Sequence, residues 1–278
     1  MKHLLITLLI ASTVLSCSRD SAELEAADNE IVDVSVYSEY LTGKSIATDI
    51  NFMPDEQYIN HNSNAPQPPL LTLKLVTKQV FPCVNYLLKT TKFIKGNELI
   101  IRFDEVADPG VCLTAIGPAG ASIDLPENIN KIVLINGNKV DVYSTDINEE
   151  KITLTALSKS FTNALYSKTF RIPKNSFAFV CGTNTGNTHL YQDFLSILEK
   201  NTNFKEFKFE GEGRVPYPVV SSGHWVNHPS KFFIYSNRAE FEKLDNILNT
   251  FSSEKIEKNS GVTIALYGWN NSKYYSWD

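Results

Sequence analysis

Residues 135–143 read Ile135-Asn136-Gly137-Asn138-Lys139-Val140-Asp141-Val142-Tyr143. Asn136-Gly137 is a hairpin signal, because a tight two-residue turn needs central residues that accept positive φ, and Asn and Gly do so at little cost. Beyond it Val140 and Val142 alternate with Asp141 and Tyr143. A period of two places one set on a core face and the other toward solvent. This stretch therefore predicts antiparallel β-structure, and its neighbours repeat the pattern.

Leu71, Leu73 and Leu75 alternate with Thr72 and Lys74. Leu99, Ile101 and Phe103 alternate with Ile100, Arg102 and Asp104, and Ile152 and Leu154 with Thr153 and Thr155. Turn signals part these runs at Lys95-Gly96-Asn97, Asp108-Pro109-Gly110, Gly117-Pro118 and Asn148-Glu149. Short strands at intervals of about ten residues suggest a sandwich. Residues 70–174 are thus expected to form an antiparallel β-sandwich, immunoglobulin-like in architecture only, since the Cys…Trp…Cys spacing of true immunoglobulin domains is missing.

From residue 175 the period changes. Phe177–Cys181 reads as a buried strand, and Leu190, Tyr191, Phe194, Leu195 and Leu198 then recur at helical spacing after Thr188, a candidate N-cap. Phe204, Phe207 and Phe209 suggest a further strand, as do Phe232–Tyr235. Asn237 with Glu240 is a capping-box pattern, and Phe241, Leu244, Ile247, Leu248 and Phe251 form one helix face. Val262–Tyr267 reads as a fourth strand. The order β-α-β, β-α-β over 175–278 predicts a ferredoxin-like βαββαβ domain, with a small three-layer α/β domain as the alternative. Ahead of both regions, 31–69 reads as a lone strand over Ile31–Tyr37 and then a connection marked by Pro54, Pro66, Pro68, Pro69 and several asparagines.

The first residues carry an address. Lys2 and His3 precede an apolar run from Leu4 to Leu15, too short to span a bilayer, which needs roughly twenty residues. A basic start, a short apolar core and a small residue before the cut form a secretory signal. Val14-Leu15-Ser16-Cys17 resembles the lipobox of bacterial lipoproteins. That resemblance implies a signal peptide over 1–16 and a diacylglyceryl group on the Cys17 thiol, with acylation of the new amino terminus. Ser18, rather than Asp, resembles the outer-membrane-destined class. Residues 17–30 are polar and acidic, a composition that cannot build a core and suits a tether. The expected location is the outer membrane, lipid-anchored, on its periplasmic face or at the cell surface.

Of 278 residues 42% are hydrophobic, enough for a sizeable core. The net charge of −5 argues against nucleic acid, whose phosphates reward clustered Lys and Arg. Four cysteines are present. With Cys17 assigned to lipid, Cys83 and Cys112, each beside a strand pattern in an oxidising compartment, are expected to form a disulfide. Cys181 ends an apolar run and reads as a buried, inert thiol. No C-x-x-C pair and no H-E-x-x-H motif occur, so neither metal nor another cofactor is expected.

Three further places invite chemistry. Gly182-Thr183-Asn184-Thr185-Gly186 joins a strand to a helix start but lacks the Lys-Ser/Thr of a phosphate loop and reads as a tight turn. His224 and His228 have helical spacing, yet Pro216, Pro218, Gly223 and Pro229 place them in a loop. Cys181 and His189 suggest a thiol nucleophile for which no third group can be named. At the C-terminus Trp269, Tyr274, Tyr275 and Trp277 lie among Asn and Ser, suited to covering a sheet, to a protein partner or to a sugar. The expectation for the whole is a membrane-anchored, non-enzymatic binding or assembly module of the cell envelope with a protein partner. A surface glycan-binding lipoprotein is the first alternative, and a hydrolase or thiol enzyme the second.

Overall fold

The computed structural model describes residues 33–59 and 66–276. The hairpin that opened the reading is β6 (Lys131–Asn136) and β7 (Lys139–Ile147). Its turn is displaced by one residue from the expectation. Asn136 pairs with Lys139, so Gly137 and Asn138 are the central residues. Only the first of them, Gly137 at φ +63°, has positive φ, as in a turn that needs Gly at its first central position. Asn136 is thereby free for other work. Its amide accepts from Ile46 N (2.8 Å) and donates to Ile46 O (3.1 Å), fastening the 44–47 segment to the hairpin.

Eight more strands join this pair: β1 (Ile50–Gln57), β2 (Leu70–Phe81), β3 (Leu87–Lys95), β4 (Glu98–Ala107), β5 (Gly117–Asp124), β8 (Lys151–Ser158), β9 (Thr162–Ala164) and β10 (Lys168–Phe170). Their order is β10-β8-β7-β6-β4-β3-β5-β2-β1-β9. The sheet is mixed, where a wholly antiparallel one was expected. β4 runs parallel to β6, β1 to β9, and β3 touches β5 in a single parallel pair. The alternation holds, but it buries both faces of the central strands. Leu99, Ile101 and Phe103 enter one core with Phe52, Leu75 and Tyr143. Ile100, Val133, Val140 and Val142 enter a second one beneath Tyr37.

Two N-terminal expectations are corrected. Ile31–Tyr37 was read as a strand; the described part is a 3-10 turn, Val34–Tyr40, which lays Tyr37 on the second core. Asp33 caps it, accepting from Ser35 N at 3.0 Å. The apparent Val34/Val36 alternation misled because both valines are exposed and Tyr37 alone is buried. The connection proposed from Asn51 onward contains β1. Pro54 is tolerated there because Ile50 N and Phe52 O bond toward the β9 side. Alternation then turns the imino nitrogen of Pro54 the same way, past the end of the β9 pairing, where no donor is needed.

Asp141 sits on β7, fully buried on the same face as Tyr143. Its carboxylate accepts five hydrogen bonds: from Ser160 N (2.7 Å) and Oγ (2.8 Å), Phe161 N (3.0 Å), and Thr162 N (2.8 Å) and Oγ1 (2.6 Å). These donors turn the chain out of β8 and into β9, which pairs with β1 at the opposite end of the strand order. Four residues later β10 returns to β8. The two terminal strands of the sheet are thus neighbours in sequence, and the sheet curls.

The second sheet is built on β11 (Ser176–Thr183), buried at every position. Its order is β12 (Phe204–Phe207), β14 (Lys231–Tyr235), β11, β15 (Thr263–Gly268), β16 (Lys273–Tyr275), with β13 (Val226–Asn227) beside β11, and every pairing is antiparallel. Helices α1 (His189–Lys200), α2 (Arg238–Glu242) and α3 (Leu244–Lys255) contribute Phe194, Phe241 and Leu248 to a core with Phe177 and Phe179. Phe177 stacks on Phe233 at 5.3 Å, and Phe194 meets Phe251 edge-on at 5.1 Å. The other face carries Ala178, Val180 and Ala265 against Tyr217. Thr188 makes no side-chain cap. Asn184 takes that role one turn earlier, accepting from Gly186 N and Asn187 N, each at 2.9 Å. Asn237 does cap α2 through Ala239 N, while Glu240 bonds Lys243 and Asn201 instead of closing the box.

Ion pairs tie two connecting segments to β1 and its neighbourhood within one compact unit. Arg171 bonds the buried Glu56 at 3.0 Å and reaches Glu127 at 2.8 Å. Arg214 Nη1 lies 2.6 Å from Asp55, a close ion pair whose angle is poor for a hydrogen bond. Tyr58 donates to Trp269 O at 2.8 Å.

Replacing Asp141 with Ala strands the buried N–H groups of Phe161 and Thr162, each worth roughly 1–3 kcal/mol. A loss of about 3 kcal/mol or more is expected from urea unfolding, with a smaller loss for Asp141→Asn, which keeps one acceptor oxygen.

Candidate functional site

The two loops at one end of the first sheet, 82–86 and 108–116, form the most unusual surface among the described residues. They are joined by the Cys83–Cys112 disulfide, with Cα atoms 5.3 Å apart and a sequence separation of 29. Asn85 adds a second fastening. Its Nδ2 donates to Val111 O at 2.7 Å and its Oδ1 accepts from Leu113 N at 3.2 Å, as a paired strand would. Gly110 N donates to Asp108 at 2.8 Å and Ala115 N to Leu113 O at 2.7 Å. Phe81 stacks on Tyr86 at 4.8 Å beneath the loops. Gly117 permits the close approach, since a Cβ there would stand 2.9 Å from Val84 Cγ2.

With these backbone groups satisfied internally, the side chains left outside are aliphatic. Val80, Val84, Leu87 and Leu113 are exposed, and Val111 and Ile116 are each 76% exposed. Residues 79–88 and 109–117 contain no charged side chain. Single exposed apolar residues are ordinary, whereas an uncharged group of them is the kind of surface that interaction sites present. The sequence reading found the cysteines and turns here and missed the aliphatic tip. The available signal was the pair of uncharged runs, each containing one of the bonded cysteines.

The thiol and histidines do not assemble. Along β11 successive side chains face opposite ways. Cys181 joins the core under the helices, whereas Gly182 faces the other side, where His224 lies on it so closely that a Cβ would come 2.2 Å from Nδ1. Burial pushes the Cys181 thiol up to about 12. His228, beside β13, bonds Thr183 Oγ1 at 3.0 Å and stacks on Tyr191 at 4.6 Å. Desolvation lowers its pKa, keeping the ring neutral. His189 is exposed at the start of α1. Among the described residues no three His, Cys, Asp or Glu side chains stand together as metal ligands would.

The C-terminal aromatics divide between faces. Trp269 donates from Nε1 to Tyr235 at 2.8 Å, and Tyr274 packs on Phe241 at 5.4 Å, both on the helix side. Tyr275 points to the opposite face, edge-on to Tyr267 at 5.9 Å. Cys17 and Trp277 lie outside the described residues.

Two measurements follow from these geometries. In native protein at pH 8, iodoacetamide is expected to leave Cys181 unmodified and to label it only after unfolding; rapid native labelling would contradict the burial. Replacing both Cys83 and Cys112 with Ser is expected to remove about 3–4 kcal/mol of stability on the chain-entropy model. Dithiothreitol should then lower the unfolding midpoint of the parent protein and leave that of the double variant unchanged. Compared with models of protein families, with curated proteins and with solved structures, the chain matches none.

Proposed function

We propose that this chain is a lipid-anchored, non-enzymatic binding or assembly module of the cell envelope, whose partner is a protein seated on the aliphatic tip. The observation that carries the reading is the pairing of exposure with rigidity at Val111, Leu113 and Ile116, held by Cys83–Cys112 and by Asn85. Burying apolar surface contributes about 25 cal/mol per Å², and a surface already ordered gives up little conformational entropy on binding. The lipobox-like Val14–Cys17 segment supports an anchor. No helix among the described residues is long and apolar enough to cross a membrane.

The tip lies far from where the described chain begins. The described chain begins near the β3–β4 turn, where Tyr37 bonds Glu98 at 3.2 Å. The tip lies at the far end of β3, whose nine residues span about 30 Å. Separation of Cys181 and His224 on opposite faces of β11 supports a non-enzymatic role. For the architecture, the curled first sheet supports a sandwich reading. In the second sheet the order β12-β14-β11-β15, all antiparallel with helices on one face, supports the split βαβ plan of ferredoxin-like domains.

A photocrosslinking side chain placed at position 111 or 116 in the native host is expected to capture a protein, and one at the exposed Lys258 is not. Val111→Asp combined with Ile116→Asp should abolish co-purification of that protein. Adducts with lipid alone, or none, would overturn the reading. The anchor is checked separately by mass spectrometry, which should find mature protein starting at an acylated Cys17.

A further inference from the structure

We infer that the helix-free face of the second sheet carries a binding site for one neutral sugar ring, independent of the aliphatic tip. A pocket of about 280 Å³ opens there between β11, β15, β16 and the loop that precedes β13. Its base is apolar and small, formed by Val180 and Ala265, both buried. Tyr267 and Tyr275, set edge-to-face at 5.9 Å, form one wall. Ser221, His224 and Thr263 supply polar groups around it.

Three features narrow the ligand. The first is charge: none of the lining residues is Asp, Glu, Lys or Arg. A phosphate, carboxylate or ammonium would enter such a site without a counter-charge, and its desolvation would go uncompensated. The second is size. Pockets for drug-sized ligands run from roughly 300 to 1,000 Å³, so this one suits a single ring. The third is the mixture of donors, acceptors and aromatic faces. Sugars present C–H patches that pack on aromatic rings and hydroxyls that pair with neutral polar groups.

His224 is held for such a role. Its Nδ1 lies 2.9 Å from Ser222 O, an acceptor, so Nδ1 donates there and Nε2 is left to meet a ligand hydroxyl. The ring's close seat on the sheet depends on Gly182, where any Cβ would collide with it. Ser221 Oγ donates to Asn227 at 3.0 Å and retains its lone pairs as acceptors.

Saturation-transfer NMR on the full-length chain in mild detergent tests this, with glucose, galactose, mannose, xylose and N-acetylglucosamine as probes. At least one is expected to receive saturation, and the matching uronic acid should bind about ten-fold more weakly or worse. His224→Ala, which removes the ring seated on Gly182, and Tyr275→Leu, which keeps apolar volume without the ring, should each weaken binding about ten-fold. Ile116→Ser at the tip should leave it unchanged, which separates this site from the proposed protein contact. Silence from all five sugars, preference for the uronic acid, or binding that survives both pocket substitutions overturns the inference. Capture of a peptide or protein on this face without any sugar response would count against it equally.

Discussion

The curled first sheet depends on one buried carboxylate. Asp141 is wholly removed from water, yet its two oxygens receive five hydrogen bonds from three consecutive residues, Ser160 to Thr162. Burying an ionised carboxylate is tolerable only when such donors replace its hydration. The arrangement works in both directions. The donors belong to a sharp bend that could not otherwise satisfy its N–H groups inside the protein, and the acceptor belongs to a strand that could not otherwise bury a charge. Tyr143 extends the contact, its hydroxyl 2.9 Å from Thr162 Oγ1. Through that bend β9 reaches β1, and the two ends of a ten-stranded path come together.

What hangs on this closure is the presentation of the two proposed binding surfaces. The central strands of the first sheet are buried on both faces, so their loop ends are what they offer. β2, β3, β4 and β5 deliver two loops to one end, and the Cys83–Cys112 bond turns them into a single object. The second sheet solves the same problem differently. Its helices cover one face only, and the long connection from Lys208 to Trp225 covers part of the other, leaving the Tyr267–Tyr275 pocket open. Glu56, near the end of β1, then holds Arg171 and Ile172, the first residues of the connection from β10 to β11. Burial raises the pKa of Glu56, while Ile172 N and Arg171 oppose that shift by bonding the charged form.

How much of this was legible in the sequence follows the range of the interactions. The β6–β7 hairpin was legible because turn chemistry is local; its one-residue displacement was not, because Asn136 is drawn away by Ile46, ninety positions earlier. Asp141 looked like an ordinary outward-facing residue, since its partners are 19 to 21 positions distant. Strand β1 was obscured by Pro54, whose harmlessness depends on where β9 ends. The disulfide was legible from compartment and strand context together. The C-terminal aromatics read as one patch because a terminal strand covering the sheet was weighed there without bounds, which Lys273–Tyr275 now supplies. Within that strand, adjacent Tyr274 and Tyr275 must face opposite ways. The same period divides Cys181 from Gly182, but the place of His224 opposite Gly182 is a tertiary fact with no local signature.

The tip also shows why rigidity and exposure occur together. Fully burying six aliphatic side chains against a partner would contribute roughly 9–18 kcal/mol at about 1.5–3 kcal/mol each. Ordering the two loops, 82–86 and 108–116, from a fluctuating state would oppose this by a comparable or larger amount, at about 1–2 kcal/mol per residue. A flexible aliphatic loop would therefore gain almost nothing by docking, and would lower its free energy by collapsing onto its own surface. A disulfide at one position and a two-point amide clip at another remove that opposing term before any partner arrives. Because Val111 O and Leu113 N are already bonded to Asn85, covering them also strands no backbone group. On the proposed function, the surface would be prepared for a dry contact in the two respects that decide whether apolar area becomes affinity.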